Sequence, residues 1–143
     1  MSMNPMNDDS ELTFGGYDTT RFEGSLTWHP VIDQLFWSLN LEDIRIGDQS
    51  LGICQDRQCF ATPDSGTSLS TMPSWALSIF DDATYEQGMP CVEGFDMNLE
   101  DLVFVIDGVD YPLPSHHWNS REIDTSIEEG GKCFTTLSAL DIQ

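Results

Sequence analysis

The chain has 143 residues, 39% of them hydrophobic and 21% charged, the length and balance of one globular domain with a core of its own. Acidic residues outnumber basic ones by 25 to 5, for a formal net charge of −20. That charge argues against nucleic acid and against anionic membrane surfaces as partners, and no apolar run approaches the roughly 18 residues of a membrane-spanning helix. An acidic surface is either plain solvation or an adaptation to low pH, where many of the carboxylates would be protonated.

Met1–Ser10 reads as a loose, flexible terminus, followed by one domain over 11–143. The terminus has neither the basic nor the apolar stretch of a signal peptide. Glu11–Phe14 reads as a strand stopped by Gly15 and Gly16, and Thr19–Glu23 as a turn. Ser25–Val31 alternates Leu26, Trp28 and Pro30 with Ser25, Thr27 and His29, a half-buried strand in which His29 faces solvent. Phe36–Leu41 alternates again. Ile44–Ile46 runs into a Gly47-Asp48 turn, and Ser50–Ile53 returns. Hairpins at this spacing predict an all-β domain. Pro73 suits the first position of a short helix, with Ser70 or Thr71 as caps and Trp75, Leu77, Ile79 and Phe80 on its apolar face. Leu102–Ile106 and Val109–Leu113 flank Asp107-Gly108, a hairpin signal, and Pro112 and Pro114 set the second strand at a sheet edge. His116 and His117 fall in the following loop, and 119–132 reads as polar and exposed.

The chemically informative stretch is Asp64-Ser65-Gly66-Thr67-Ser68. It follows Phe60 and Ala61, which can end a strand, and precedes the helix. Gly66 lets the backbone turn sharply and lets a neighbour approach. The hydroxyls of Ser65 and Thr67 can bond the backbone or hold a carboxylate. Taken alone, the pentapeptide favours an ordinary polar turn. Four cysteines, Cys54, Cys59, Cys91 and Cys133, permit three disulfide pairings. A metal site with His29, His116 or His117 is the rival, but zinc sites prefer tighter, paired Cys clusters, so no metal is expected.

The flanks of the pentapeptide carry a resemblance. Phe14-Gly15-Gly16-Tyr17-Asp18, Gly24–Val31, Phe36–Leu39, Ile44–Asp48, Cys54, Cys59, Asp64–Leu69, Leu102–Val109 and Tyr111–Pro114 stand in order and at spacings similar to the C-terminal lobe of the pepsin-like aspartic proteases. The match spans about Glu11 to Phe134. The resemblance implies an all-β lobe, one half of a bilobal double-ψ-like fold, with one short helix after the catalytic loop. It implies an acid endopeptidase of polypeptides, without cofactor. Asp64 would be one catalytic carboxylate, Ser65 would support the loop, and Gly66, Thr67 and Ser68 would line the substrate cleft. It also implies disulfides Cys54–Cys59 and Cys91–Cys133, and with them a secretory, endolysosomal or extracellular setting.

Two features depart from the family pattern. Nothing upstream repeats the Asp-Thr/Ser-Gly loop, and Gln143 precedes the family's apolar-apolar-Gly-Asp strand. The expectation is a lobe truncated at both ends, inactive alone, whose partner is the N-terminal lobe of a longer precursor. Two other readings are a homodimer in which each copy gives one Asp64 and a non-catalytic module that binds peptide or protein. The second departure is Pro63, where the family has a β-branched or other apolar residue. Pro63 removes a backbone donor beside Asp64 and restricts Thr62.

Overall fold

The computed structural model describes residues 10–86, 99–122 and 132–141, with only the backbone described at 85–86, 119–122 and 132–134. The expected loose segment 1–10 therefore lies outside the described residues except for Ser10. Among the described residues nine strands follow in chain order: β1 (Leu39–Ile46), β2 (Gln49–Ser50), β3 (Cys59–Ala61), β4 (Ser70–Met72), β5 (Leu102–Ile106), β6 (Val109–Leu113), β7 (Asn119–Glu122), β8 (Lys132–Thr135) and β9 (Leu137–Ala139). Among the described residues two α-helices, α1 (Ser74–Glu86) and α2 (Ser115–Trp118), and a 3-10 turn at Thr19–Arg21 accompany them. The domain is β-rich, as expected for a pepsin-like lobe.

The main sheet runs β2-β1-β5-β6, and β3 pairs with the start of β1. β5 is central and apolar, with Leu102, Val103 and Ile106 buried. Its hairpin with β6 turns at Asp107-Gly108, both at positive φ (48° and 74°), as a two-residue type I′ turn requires. β1 solves a periodicity problem. Leu41 and Ile44 are three residues apart, so a regular strand would place them on opposite faces. A bulge between Leu41 and Asp43 resets the alternation, and Leu41, Ile44 and Ile46 all reach the core. The core lies between this sheet, α1, Trp118 and the parallel β4–β9 pair, whose Met72 and Leu137 belong to it.

Several expectations are corrected. Glu11–Phe14 is not a strand; only Glu11 makes a bridge, and Leu12 and Phe14 are exposed. Ser25–Val31 forms no strand, and its alternation does not appear in burial: Ser25 to Trp28, Pro30 and Val31 are all exposed, Trp28 at 82%, while the His29 side chain is only 9% exposed. His29 is held, not plain surface. Its Nδ1 lies 2.9 Å from Asp107 Oδ2 and its Nε2 lies 2.6 Å from the Tyr111 hydroxyl. A carboxylate only accepts, so Nδ1–H donates to Asp107, and in the neutral ring Nε2 accepts from Tyr111. β1 begins at Leu39 rather than Phe36, and Phe36 and Trp37 are exposed.

The helix also differs. It runs to Glu86, and its inner stripe is Ala76, Phe80 and Thr84 at i, i+4, i+8, while Trp75 and Ile79 are largely outside. Ser70 and Thr71 do not cap it, because they form β4. Its first turn is closed by Asp141, whose carboxylate accepts from the Ser74 N–H (2.8 Å) and the Ser74 hydroxyl (2.6 Å). His116 and His117 lie on α2 and not in a loop, and 119–122 is strand β7. Trp118 at the end of α2 is fully buried and packs edge-on against Phe80.

A disulfide joins Cys54 to Cys59, with Cα atoms 5.6 Å apart. Cys91 lies outside the described residues and Cys133 is described only as backbone in β8. The expected Cys91–Cys133 pairing therefore lies outside the described residues.

Candidate active site

Asp64 sits in the loop 62–69 that leaves β3 and enters β4. Both ends of the loop are tied: β3 pairs with β1, and β4 pairs with β9. Ser65 and Gly66 form the turn at its tip. The loop then folds back on the carboxylate. Thr67 Oγ1 donates to Asp64 Oδ2 at 2.6 Å, and the Gly66 N–H donates to Oδ1 at 2.8 Å. These donors, the Thr67 hydroxyl first and the Gly66 N–H second, hold the Asp64 carboxyl below its ordinary value. The Asp64 carboxyl group is thus held in one orientation, each oxygen accepting one bond among the described residues. The close approach also explains Gly66. A Cβ there would stand 3.2 Å from Asp64 Oδ1, tighter than ordinary contact.

The carboxylate borders an open groove of about 640 Å³. Asp64, Thr67 and Ser68 line it from the loop, and Trp75 and Tyr111 line it from α1 and β6. Leu41, Ile44 and Ile106 contribute core side chains, so the groove is mainly apolar with a polar rim at the loop. Arg57, from the disulfide-closed segment 54–59, lies with its guanidinium carbon 3.8 Å from the centre of the Trp75 ring. Ser65 and Gly66 are exposed at the turn.

The structure therefore brings Asp64, Thr67 and Ser68 to one rim. It adds residues that sequence reading did not assign to a site. The sequence pattern places Trp75 on the apolar face of α1, and the contribution of Tyr111 from β6 depends on a sheet order invisible in the sequence. His116 and His117 stack on each other, with ring centres 4.1 Å apart, and are absent from the groove. Among the described residues, no group of three or more His, Cys, Asp or Glu side chains is placed to hold a metal, and no helix is long and apolar enough to cross a membrane.

Comparison with known proteins gives concordant results. The sequence model of the eukaryotic aspartyl protease family matches residues 1–142. The chain is 37% identical over 147 residues to cathepsin E of Cavia porcellus, a match covering all of this chain and 36% of that protein. It is 32% identical over 139 residues to gastricsin of Mus musculus, covering 92% of this chain and 33% of the relative. The chain thus spans about a third of the length of these relatives. Among solved structures, the aspartic proteinase from Irpex lacteus superposes with a TM-score of 0.63 at 22% identity, over 89% of this chain and 40% of that one.

Proposed function

Because the chain belongs to the eukaryotic aspartyl protease family, we propose that it supplies one catalytic carboxylate, Asp64, and half the cleft of an acid endopeptidase that cleaves polypeptides. The observation that carries this reading is the Asp64 carboxylate itself. It is exposed, fixed by two donors of its own loop, and set at the rim of a groove.

The chemistry needs a second carboxyl group, contributed by another lobe. Two carboxylates that close cannot both ionise easily, so the pair shares one proton. The anionic member takes a proton from a water lying between them. The water oxygen attacks the scissile carbonyl, and the neutral member stabilises the oxyanion that forms. The Thr67 and Gly66 bonds fix the carboxylate plane, so Asp64 orients the water without searching for its own rotamer. Thr67 and Ser68 present polar atoms to the substrate backbone beside it. Exposed aromatic side chains at Phe14, Trp28 and Trp37 support a partner lobe that covers the segment before β1. The Cys54–Cys59 disulfide supports maturation in an oxidising compartment.

A second reading, a non-catalytic peptide-binding module, draws on Pro63 beside Asp64. Kinetics separate the two. In a protein joining this chain to a lobe with a second catalytic Asp, Asp64→Asn keeps the shape and removes the ionisable group. We expect kcat on a fluorogenic peptide at pH 3–6 to fall roughly 10²- to 10⁴-fold or more, with KM little changed. Retention of more than about a tenth of kcat, well short of that range, would favour the binding module.

A further inference from the structure

The backbone ladder between β1 and β3 pairs Leu41 with Cys59, Asn40 with Phe60, and Leu39 with Ala61. The next pair in this register is Ser38 with Thr62. Beyond it stands Pro63, the last residue before Asp64. Pro63 has no N–H, so the chain beside Asp64 cannot be held to β1 by a backbone donor at that position. Pro63 also keeps Thr62 extended, in line with the strand it leaves.

At this step the side chains take over. Ser38 Oγ and Thr62 Oγ1 lie 3.0 Å apart. Directly opposed hydroxyl residues bond across an antiparallel pair in this way. Ser38 is a firm anchor: it is 7% exposed, and its carbonyl accepts the Ile32 N–H at 2.9 Å. Thr62 is exposed and has no other hydrogen bond among the described residues, so its link to Ser38 is the last fixed point before the loop. From there only Pro63 intervenes before the carboxylate.

We propose that the Ser38–Thr62 hydroxyl pair is the positioning element of the Asp64 loop, standing in for the backbone hydrogen bond that Pro63 cannot make. Thr62 borders the same groove as Asp64, and Ser38 does not. They act by fixing where the chain enters the loop, and so whether Thr67 and Gly66 can close on the same carboxylate. The functional consequence rests on the reading of Asp64 as a catalytic group; the positioning itself does not.

The test is a carboxyl-carbon NMR titration of Asp64 in the 143-residue chain, which needs no proteolysis. Thr62→Val keeps the side-chain shape and removes the hydroxyl. We expect the Asp64 midpoint to rise by about half a pH unit, part of the value of one hydrogen bond. Ser38→Ala should give the same rise, and the double variant no more than either single one. Thr62→Ser should keep the wild-type midpoint. Adding Pro63→Val to Thr62→Val restores an N–H and should bring the midpoint back. A wild-type midpoint in a folded Thr62→Val chain would overturn the proposal, as would a raised midpoint that Pro63→Val leaves unchanged. Unfolding of Thr62→Val beside a folded Thr62→Ser would also overturn it, assigning the pair to stability alone. A positive titration alongside an Asp64→Asn protein that keeps its kcat would uphold the positioning and reject the protease reading.

Discussion

The β5–β6 hairpin and the Asp64 loop both connect consecutive strands, and they are stabilised in opposite ways. The hairpin turns in two residues, and β5 behind it is buried against β1 and the core. The Asp64 loop takes eight positions, 62–69, all of them exposed. Hydrophobic burial orders the first; the second is ordered by the Ser38–Thr62 pair and by the bonds that Thr67 and Gly66 give to Asp64. A site loop needs its polar atoms outward and still fixed, so hydrogen bonds must do what burial does elsewhere. The comparison teaches that stability and site geometry should be separable by substitution.

The largest expected effect falls on the buried side. Trp118 is fully buried against Phe80. Trp118→Ala should cost about 3–5 kcal/mol in urea unfolding, through lost burial and a residual cavity. Trp118→Phe should cost less, because the buried Nε1 has no hydrogen-bond partner among the described residues. Where the chain remains folded, the titration of Asp64 should be unchanged in both. A shifted Asp64 midpoint would show that core and loop are coupled, and would break the comparison.

A smaller effect should appear at the exposed start of α1. The Ser74 hydroxyl first and the Ser74 N–H second hold the Asp141 carboxyl below its ordinary value. A carboxyl with a depressed folded value contributes stability that is complete above its unfolded value, near pH 3.9. That contribution is lost as pH falls through the folded value. Asp141→Ala should therefore lower the melting temperature at pH 6, and the gap from wild type should narrow as the pH drops below about 4. A gap that stays constant across this range would show that the carboxylate charge plays no part in closing α1.

These substitutions also mark what the sequence made legible. The β5–β6 hairpin was readable because Asp107-Gly108 demands positive φ and the flanking runs are apolar. The turn at Gly47-Asp48 and the strand ending at Ala61 were readable for similar local reasons. β4 and β9 were not, since each exists through its pairing with the other, more than 60 residues away. The inner face of α1 was misjudged because Ala76 and Thr84 are weak hydrophobic signals, while the more apolar Trp75 and Ile79 point outward. Trp28 misled for a different reason: the alternation of residue types has no counterpart in burial, and the one covered residue of Ser25–Val31 is His29, held by Asp107 and Tyr111. At the site, Asp64 and Thr67 were visible as a motif. The Ser38–Thr62 contact, and the cap that Asp141 provides for Ser74, join residues 24 and 67 positions apart, which no local pattern encodes.

The central claim is that Asp64 is half of a catalytic pair whose other half lies on a different lobe. The most direct measurement incubates the purified 143-residue chain with unfolded protein substrate across pH 3–6, with and without a transition-state-mimicking inhibitor such as pepstatin. The account predicts no inhibitor-sensitive cleavage at any of these pH values. Inhibitor-sensitive cleavage that disappears in Asp64→Asn would contradict it, and would assign both carboxylates to two copies of this chain.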